Sequence, residues 1–188
     1  MNENFKKLVS SSEDLEDIAN LLTDSTELKA DIAKFAKEPH DSVFAGERNR
    51  IQMNFNKKGD TIYLLGDYKN CDDDNSSVME ILYEAIEQKM ITSAHVMSGK
   101  GLFWGLIEAC SVNKLGFDIT GDAEISDKEF LFNDKNSAIL ISVNGESKGK
   151  FVDFIYNNGA ELTLLGHVTR GEIRMDDISF GFIKDYIG

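Results

Sequence analysis

Apolar residues in the first forty positions recur at helical spacing, in two successive stripes: Leu15, Ile18, Leu21 and Leu22, then Leu28, Ile32 and Phe35. Ser10 and Glu13 have the spacing of a capping box before the first stripe. Asp24 and Ser25 can cap the second stripe, which ends near Pro39. This pattern predicts an acidic helical arm over residues 1–41. We expect two helices packed on the main domain, and the alternative is an arm that docks on another chain.

Beyond the arm the pattern changes from helical to strand spacing. Residues 51–55 alternate between apolar and polar side chains, which predicts a half-buried strand. Residues 61–66 form a continuous apolar run, which predicts a second strand. The polar segment 56–60 between them is rich in turn-forming residues. These features predict a β-hairpin with a longer loop.

The rest of the chain alternates between strand and helix patterns. Helical spacing occurs at residues 77–86, 102–110 and 151–155, and strand patterns occur at residues 91–95, 116–120, 138–143, 162–168 and 172–175. The last two strands are expected to pair across the turn at residues 169–171. The order predicts an α+β fold, a mixed sheet with helices packed on it.

Composition narrows the class of protein. The length of 188 residues suits one domain with an appendage, so we divide the chain into the arm (1–41) and a main domain (42–188). The net charge of −13 argues against binding to nucleic acid phosphates or to anionic lipid. No apolar run is long enough for a membrane span or a signal peptide. Two cysteines make no disulfide framework, and we expect a cytoplasmic protein.

The junction at residues 94–102 is the strongest candidate for chemistry. A predicted strand leads through a glycine-containing loop into a helix, and free N–H groups at a helix start attract phosphate. Ser98 can donate to a phosphate oxygen, and Lys100 adds positive charge. The spacing matches neither a P-loop nor a nucleophile elbow. An ordinary capped helix start is the alternative interpretation.

Metal and nucleophile motifs are weak. The acidic run 72–75 lacks the glycine and glutamate that an EF-hand loop needs, which favours a solvated loop. His40, His95 and His167 share no ligand spacing. We therefore assign no metal ligand and no catalytic residue.

Several segments between residues 42 and 188 carry a family resemblance. They read MNFNKKGDTIYLLG (53–66), ITSAH (91–95), GLFWGLIEA (101–109), LGFDIT (115–120), LLGHVTRGEIRMDD (164–177) and SFGFIKDY (179–186). In their order they resemble the C-terminal domain of the aminoimidazole ribonucleotide synthetase superfamily. The nearest branch is phosphoribosylformylglycinamidine synthase of the Bacteroidetes type. The first forty residues match nothing in that family.

The resemblance implies an ATP-dependent ligase of purine biosynthesis. Enzymes of this branch convert formylglycinamide ribonucleotide into its amidine with ammonia taken from glutamine. A nucleotide-binding N-terminal half supplies most of the magnesium and phosphate contacts, and a glutaminase makes the ammonia. Both would be partners of this chain. ATP and magnesium are thus implied for the complete enzyme, and no cofactor is expected in this chain itself.

The departures from the family pattern bear on activity. The signature HDVSDGGL corresponds to HVMSGKGL at 95–102, so both aspartates are replaced, by Val96 and Gly99. The signature LFSESQSR corresponds to LFNDKNSA at 131–138, without the glutamate and the arginine. The candidate phosphate- or substrate-binding set is His95, Ser98, Gly99, Lys100 and Gly101. Two hypotheses follow: one portion of the ligase, inactive as an isolated chain, or a non-catalytic relative that serves as a binding module.

Overall fold

A computed structural model describes residues 9–38, 51–69, 76–97 and 99–188. The strands are β1 (Thr61–Leu65), β2 (Ser93–Val96), β3 (Gly116–Ile119), β4 (Ile139–Val143), β5 (Leu162–Thr169), β6 (Glu172–Met175) and β7 (Ile178–Phe182). The helices are α1 (Leu15–Asp24), α2 (Thr26–Phe35), α3 (Ser76–Glu87), α4 (Leu102–Ser111), α5 (Asp127–Phe132), α6 (Lys148–Asn157) and α7 (Ile183–Ile187). Pro39, His40 and the acidic run 72–75 lie outside the described residues.

All seven strands form one mixed sheet in the order β2-β4-β1-β5-β3-β6-β7. Strand β1 lies between β4 and β5 and pairs antiparallel with both. Strands β3 and β6 run parallel, and the remaining neighbours run antiparallel. The predicted α+β fold, a mixed sheet with helices packed on it, is confirmed.

Helices cover both faces of the central strands, because the side chains of β1 alternate between two apolar cores. Ile62 and Leu64 face the core that includes residues of α1, α2, α4 and α7. Tyr63 and Leu65 face the core beneath α3 and α6. Every residue of β1 is buried, which accounts for its continuous apolar run.

The predicted strand at residues 51–55 is wrong, and so is the hairpin built on it. This segment is irregular, and its backbone makes single hydrogen bonds instead of a ladder. The N–H of Phe55 donates to the carbonyl of Ala109 at 2.8 Å, and the carbonyl of Gln52 accepts from Ala94 at 3.0 Å. The alternation arises because Met53 and Phe55 point into the interior from a loop. Both sheet partners of β1 come from later in the chain.

The predicted pairing of β5 with β6 is also wrong. Strand β3 lies between them and pairs with both. Gly116 makes this possible, since a Cβ there would lie 2.1 Å from the carbonyl oxygen of Glu172 and 2.5 Å from Oγ1 of Thr169. Strand β7 follows Asp176 and Asp177, both with positive φ, as in a tight hairpin turn.

The two N-terminal helices form as predicted, with a different first cap. Asp14 accepts hydrogen bonds from the N–H groups of Glu16 and Asp17, so α1 begins after Asp14 and the predicted Ser10–Glu13 box does not start it. Ser25 caps α2 by accepting from Leu28. No helix in the described ranges is long and apolar enough to cross a membrane.

Helices α1 and α2 contribute side chains to the main core. Ile18, Leu22 and Ile32 are at most 1 % exposed and belong to the same cluster as α4 and the sheet. Helix α1 contacts β7, and α2 contacts α4 and α7. The boundary at residue 42 stays a prediction, and this packing leads us to expect that residues 42–188 depend on the arm.

Leu22→Ala should lower the free energy of unfolding by about 3 kcal/mol, because it removes a fully buried side chain and leaves a cavity. Asn20→Ala, at an exposed position of the same helix, should change it by less than about 0.5 kcal/mol. Urea denaturation followed by circular dichroism measures both. A chain lacking residues 1–38 that unfolds at the same urea concentration as the full chain would contradict the expectation that the main domain depends on the arm.

Candidate functional site

The candidate loop joins the end of β2 to the start of α4, as the sequence predicts. Strand β2 ends at Val96 and α4 begins at Leu102. Every residue of α4 is buried, so the helix lies inside the fold and not on its surface. Ser98 lies outside the described residues, while His95, Gly99, Lys100 and Gly101 lie within them.

Gly101 determines how closely the loop packs. It is the N-cap residue of α4, with φ of +87°, and no side chain caps the helix at this position. A Cβ on Gly101 would lie 2.9 Å from the carbonyl oxygen of Leu131 and from the Cα of Phe132. Gly99 also has positive φ, with more room around it. The tight turn into α4 therefore requires glycine at position 101.

A buried carboxylate, Glu108, organises the charged groups beside this loop. Nε2 of His95 lies 2.7 Å from Oε2 of Glu108, and Nζ of Lys100 donates to Oε1 at 3.3 Å. The indole N–H of Trp104 also donates to Oε1. Lys100 stacks over the Trp104 ring, with Nζ 5.0 Å from the ring centroid. His95 and Glu108 are only 8 % and 4 % exposed.

The local structure explains why these four side chains meet. Trp104 and Glu108 are four residues apart on α4, so they lie on the same face of the helix. His95 pairs with Leu140 in the sheet and shares the face that α4 covers. Lys100 lies two residues before the start of α4, and its side chain extends along the first turns of the helix.

The pKa of Glu108 reflects two opposing effects. Burial favours the neutral acid and acts to raise the pKa, whereas His95, Lys100 and the Trp104 hydrogen bond favour the carboxylate. The net direction is downward from the usual value. Glu108 is therefore ionised in the folded chain, and its partners hold their positions around it.

The cluster changes the interpretation of the predicted phosphate site. The sequence suggests that Lys100 is a charge available at a helix start, but its ammonium is engaged with Glu108 and Trp104. His95 is engaged with the same carboxylate. Val96, at the first lost aspartate of the family signature, packs partly against the core beneath α3 and α6. Phosphate binding at Ser98 to Gly101 stays a prediction.

These residues do not fit a magnesium ion. Positions 95–102 hold no aspartate or glutamate, and the carboxylate nearest to them is occupied by three donors. Across the described ranges, no three His, Cys, Asp or Glu side chains converge in a way that would hold a metal. His167 lies on β5 and is exposed.

Curated proteins similar to this chain include two PurL subunits, while no protein-family profile matches it. Phosphoribosylformylglycinamidine synthase subunit PurL of Leuconostoc mesenteroides is 30% identical over 137 residues, which are 61% of this chain and 18% of that protein. The PurL subunit of Carboxydothermus hydrogenoformans is 30% identical over 144 residues, 65% of this chain and 20% of that protein. The chain spans about a fifth of the length of these relatives.

Solved structures share the fold at low identity. Thermotoga maritima PurL complexed with ADP aligns with a TM-score of 0.64 and 9% identity, covering 94% of this chain and 36% of that one. The PurLQS structure from Thermotoga maritima aligns at 0.62 and 11% identity, covering 71% of this chain and 27% of that one. Thiamine-monophosphate kinase from Stenotrophomonas maltophilia aligns at 0.52 and 12% identity, over 70% of this chain and 54% of its own.

These alignments place the chain in the fold class of the PurL structures. The curated matches narrow that class, since both are the same subunit from different bacteria. The chain contains a PurL-like domain.

Glu108→Gln should lower the free energy of unfolding by about 3 kcal/mol near pH 7, because it leaves Lys100 without its buried counter-charge and His95 without its carboxylate partner. The pKa of Glu108 lies below its ordinary value of 4.5 in the folded chain, so its ionised form contributes stability that is fully present above that pH. This contribution is lost as the pH falls through the lower, folded value. Urea denaturation at several pH values should therefore show that the difference in unfolding free energy between Glu108→Gln and the unaltered chain becomes smaller in acid. The control Glu80→Gln, at an exposed position, should show no such difference.

Gly101→Ala should cost at least about 2 kcal/mol of unfolding free energy, since alanine resists positive φ and its Cβ meets backbone atoms. Gly149→Ala is a matched control in the exposed part of α6, where a Cβ meets nothing within 4 Å. It should raise stability by up to about 1 kcal/mol through helix propensity. Equal effects of the two substitutions on the denaturation midpoint would refute the role assigned to Gly101.

Proposed function

We propose that this chain supplies the C-terminal-domain portion of a phosphoribosylformylglycinamidine synthase-like ligase and has no ligase or ATPase activity by itself. The support is its 30% identity to two PurL subunits and a fold shared with structures of Thermotoga maritima PurL complexed with ATP, ADP and FGAR. In this role the domain forms one wall of an ATP-dependent, amidine-forming site of purine biosynthesis. Assignment to the Bacteroidetes branch remains a prediction.

The observation that carries the expected inactivity is the internal pairing at the β2–α4 loop. Where the family signature has two aspartates, this chain has Val96 and Gly99. The charged groups that remain, His95 and Lys100, bond to Glu108. Phosphoryl transfer needs clamped phosphates and metal ions, and this loop offers no carboxylate to hold them.

The remaining parts of the reaction are assigned to partners. A nucleotide-binding N-terminal half would bring ATP and magnesium, and a glutaminase would deliver ammonia. The PurLQS structure from Thermotoga maritima, which shares this fold, supports an assembly of this kind. The chain spans only about a fifth of the curated relatives, so most of the machinery of those proteins has no counterpart in it.

The β2–α4 loop would contribute phosphate contacts through Ser98, Gly99 and Gly101. The start of α4 offers N–H groups and the positive end of the helix dipole. Lys100 would add little attraction for a phosphate, because its ammonium group is paired with Glu108. Binding at this loop is expected to be weak, independent of magnesium and reduced by salt.

The second candidate is a non-catalytic binding module that kept the fold. Three large apolar side chains support it by their exposure: Tyr156 on α6 at 82 %, Leu164 on β5 at 58 %, and Phe182 on β7 at 45 %. Single exposed apolar residues are common, so this support is weaker than the sequence match to PurL.

The purified chain should show no magnesium-dependent ATP turnover with formylglycinamide ribonucleotide and ammonia. Turnover should appear when a nucleotide-binding half of a PurL protein is added, because that half brings the metal and phosphate contacts. Release of inorganic phosphate measures both conditions. Turnover by the chain alone that Ser98→Ala abolishes would contradict the proposed inactivity. Absence of turnover in every mixture, together with stable folding, would favour the binding module.

A further inference from the structure

A second polar group lies at the opposite end of the sheet from the β2–α4 loop. Strands β1 and β2 both run antiparallel to β4, so the starts of β1 and β2 meet the end of β4. This places Asp60, which precedes β1, beside Thr92, which precedes β2. Asn144 follows β4 at the same end. Residues 56–60, residues 144–146 and Thr92 line a cleft, here called the loop cleft.

A chain of hydroxyl groups ends on the carboxylate of Asp60. The hydroxyl of Thr92 donates to Oδ2 of Asp60 at 2.9 Å and lies 2.8 Å from Oγ of Ser142. Oγ1 of Thr92 also lies 3.0 Å from the carbonyl oxygen of Ser142, so its single proton is shared between that oxygen and Asp60. Oγ of Ser142 is in turn in hydrogen-bond contact with Oγ of Ser93, and either atom can be the donor. This hydroxyl network holds the Oδ2 side of the Asp60 carboxyl in place.

The second oxygen of Asp60 is available to a ligand. Asp60 is 2 % exposed, and its Oδ1 makes no hydrogen bond to any described residue. Asp60 is among the residues that line the loop cleft. An acceptor that is buried, oriented and half unused is a common feature of binding sites.

Positive charge lies beside this acceptor although the chain as a whole is acidic. Lys57 and Lys58 are exposed and line the same cleft, in a chain with a net charge of −13. Asn144 accepts from the N–H of Ser147 through its side-chain oxygen, which leaves its amide N–H groups for a ligand. Gly59 and Gly145 leave open space, since a Cβ on either would meet nothing within 4 Å.

We propose that the loop cleft binds a small phosphorylated compound that carries a hydroxyl group near its phosphate. The phosphate would bind between Lys57 and Lys58, and the hydroxyl would donate to Oδ1 of Asp60. Glu146 also lines the cleft, and its negative charge repels an anion. It therefore lowers the affinity for any phosphorylated ligand, which increases the relative importance of the hydroxyl contact. This proposal does not depend on the proposed function.

The test is a titration of the ¹⁵N-labelled full chain by NMR, with glycerol 3-phosphate, inorganic phosphate and glycerol as probes. Glycerol 3-phosphate should shift the amide signals of residues 57–59 and 145 and bind about tenfold more tightly than phosphate, the gain expected from one hydrogen bond to a carboxylate. Glycerol alone should give no measurable binding at the same concentrations.

Variants separate the two contacts. The double variant Lys57→Ala/Lys58→Ala should weaken both phosphorylated probes at least tenfold, whereas the exposed pair Lys34→Ala/Lys37→Ala should leave them unchanged. Asp60→Asn should bring glycerol 3-phosphate to the level of inorganic phosphate. Glu146→Gln should tighten both. If Asp60→Asn disturbs the fold, Thr92→Ser and Thr92→Val replace it: the serine variant should keep the tenfold difference and the valine variant should lose it.

Three results would overturn the proposal. The first is equal binding of phosphate and glycerol 3-phosphate by the unaltered chain. The second is the same loss of binding in both lysine double variants, which would indicate a general charge effect. The third is shifts confined to Gly99, Lys100 and Gly101, which would place phosphate at the β2–α4 loop instead. That outcome would support the loop contact described under the proposed function, so the two sites are tested separately.

Discussion

Strand β1 has no face toward solvent, and this constraint shapes the whole domain. Its side chains alternate between two apolar cores, so helices must cover the sheet on both sides. The helical layers also determine where polar groups can lie. Within the layers a charge must be paired, and at the strand ends a polar group can reach a cleft. Glu108 shows the first situation and Asp60 shows the second.

The cluster around Glu108 is best understood as a consequence of burying α4 completely. A helix with one glutamate and no exposed residue must bring partners to that glutamate, and it does so with three donors. The loop charges are thereby satisfied inside the fold. The same reasoning gives His95 and Lys100 a structural role, as the partners that hold Glu108 in its buried position.

Much of the fold could be predicted because its signals are local. The apolar run of β1, the Ser25 cap and the start of α4 depend on neighbouring residues, and all three predictions are confirmed. The position of β3 between β5 and β6 depends on contacts between distant segments, so no local pattern revealed it. Helix α5 also has a local signal in the sequence, because its cap residue Ser126 stands three residues before Glu129.

The candidate site was predicted only in part, for a related reason. The strand-loop-helix junction follows from sequence pattern, but the bonding of Lys100 follows from tertiary packing. One clue was present, because Glu108 is the single charged residue in an otherwise apolar helix and such a residue needs partners. The loop cleft joins residues from three separate segments, and no spacing rule could have brought Asp60, Thr92 and Asn144 together.

The irregular segment before β1 has a consequence for solubility. Strand β2 is at one edge of the sheet, where unpaired backbone groups can recruit a strand from another molecule and start aggregation. The carbonyl of Gln52 takes the N–H of Ala94, and the side chain of Asn56 donates to the carbonyl of Thr92 at 2.6 Å. A segment too irregular to be a strand thus blocks the edge against intermolecular pairing, and its loss would leave an open template for fibril growth.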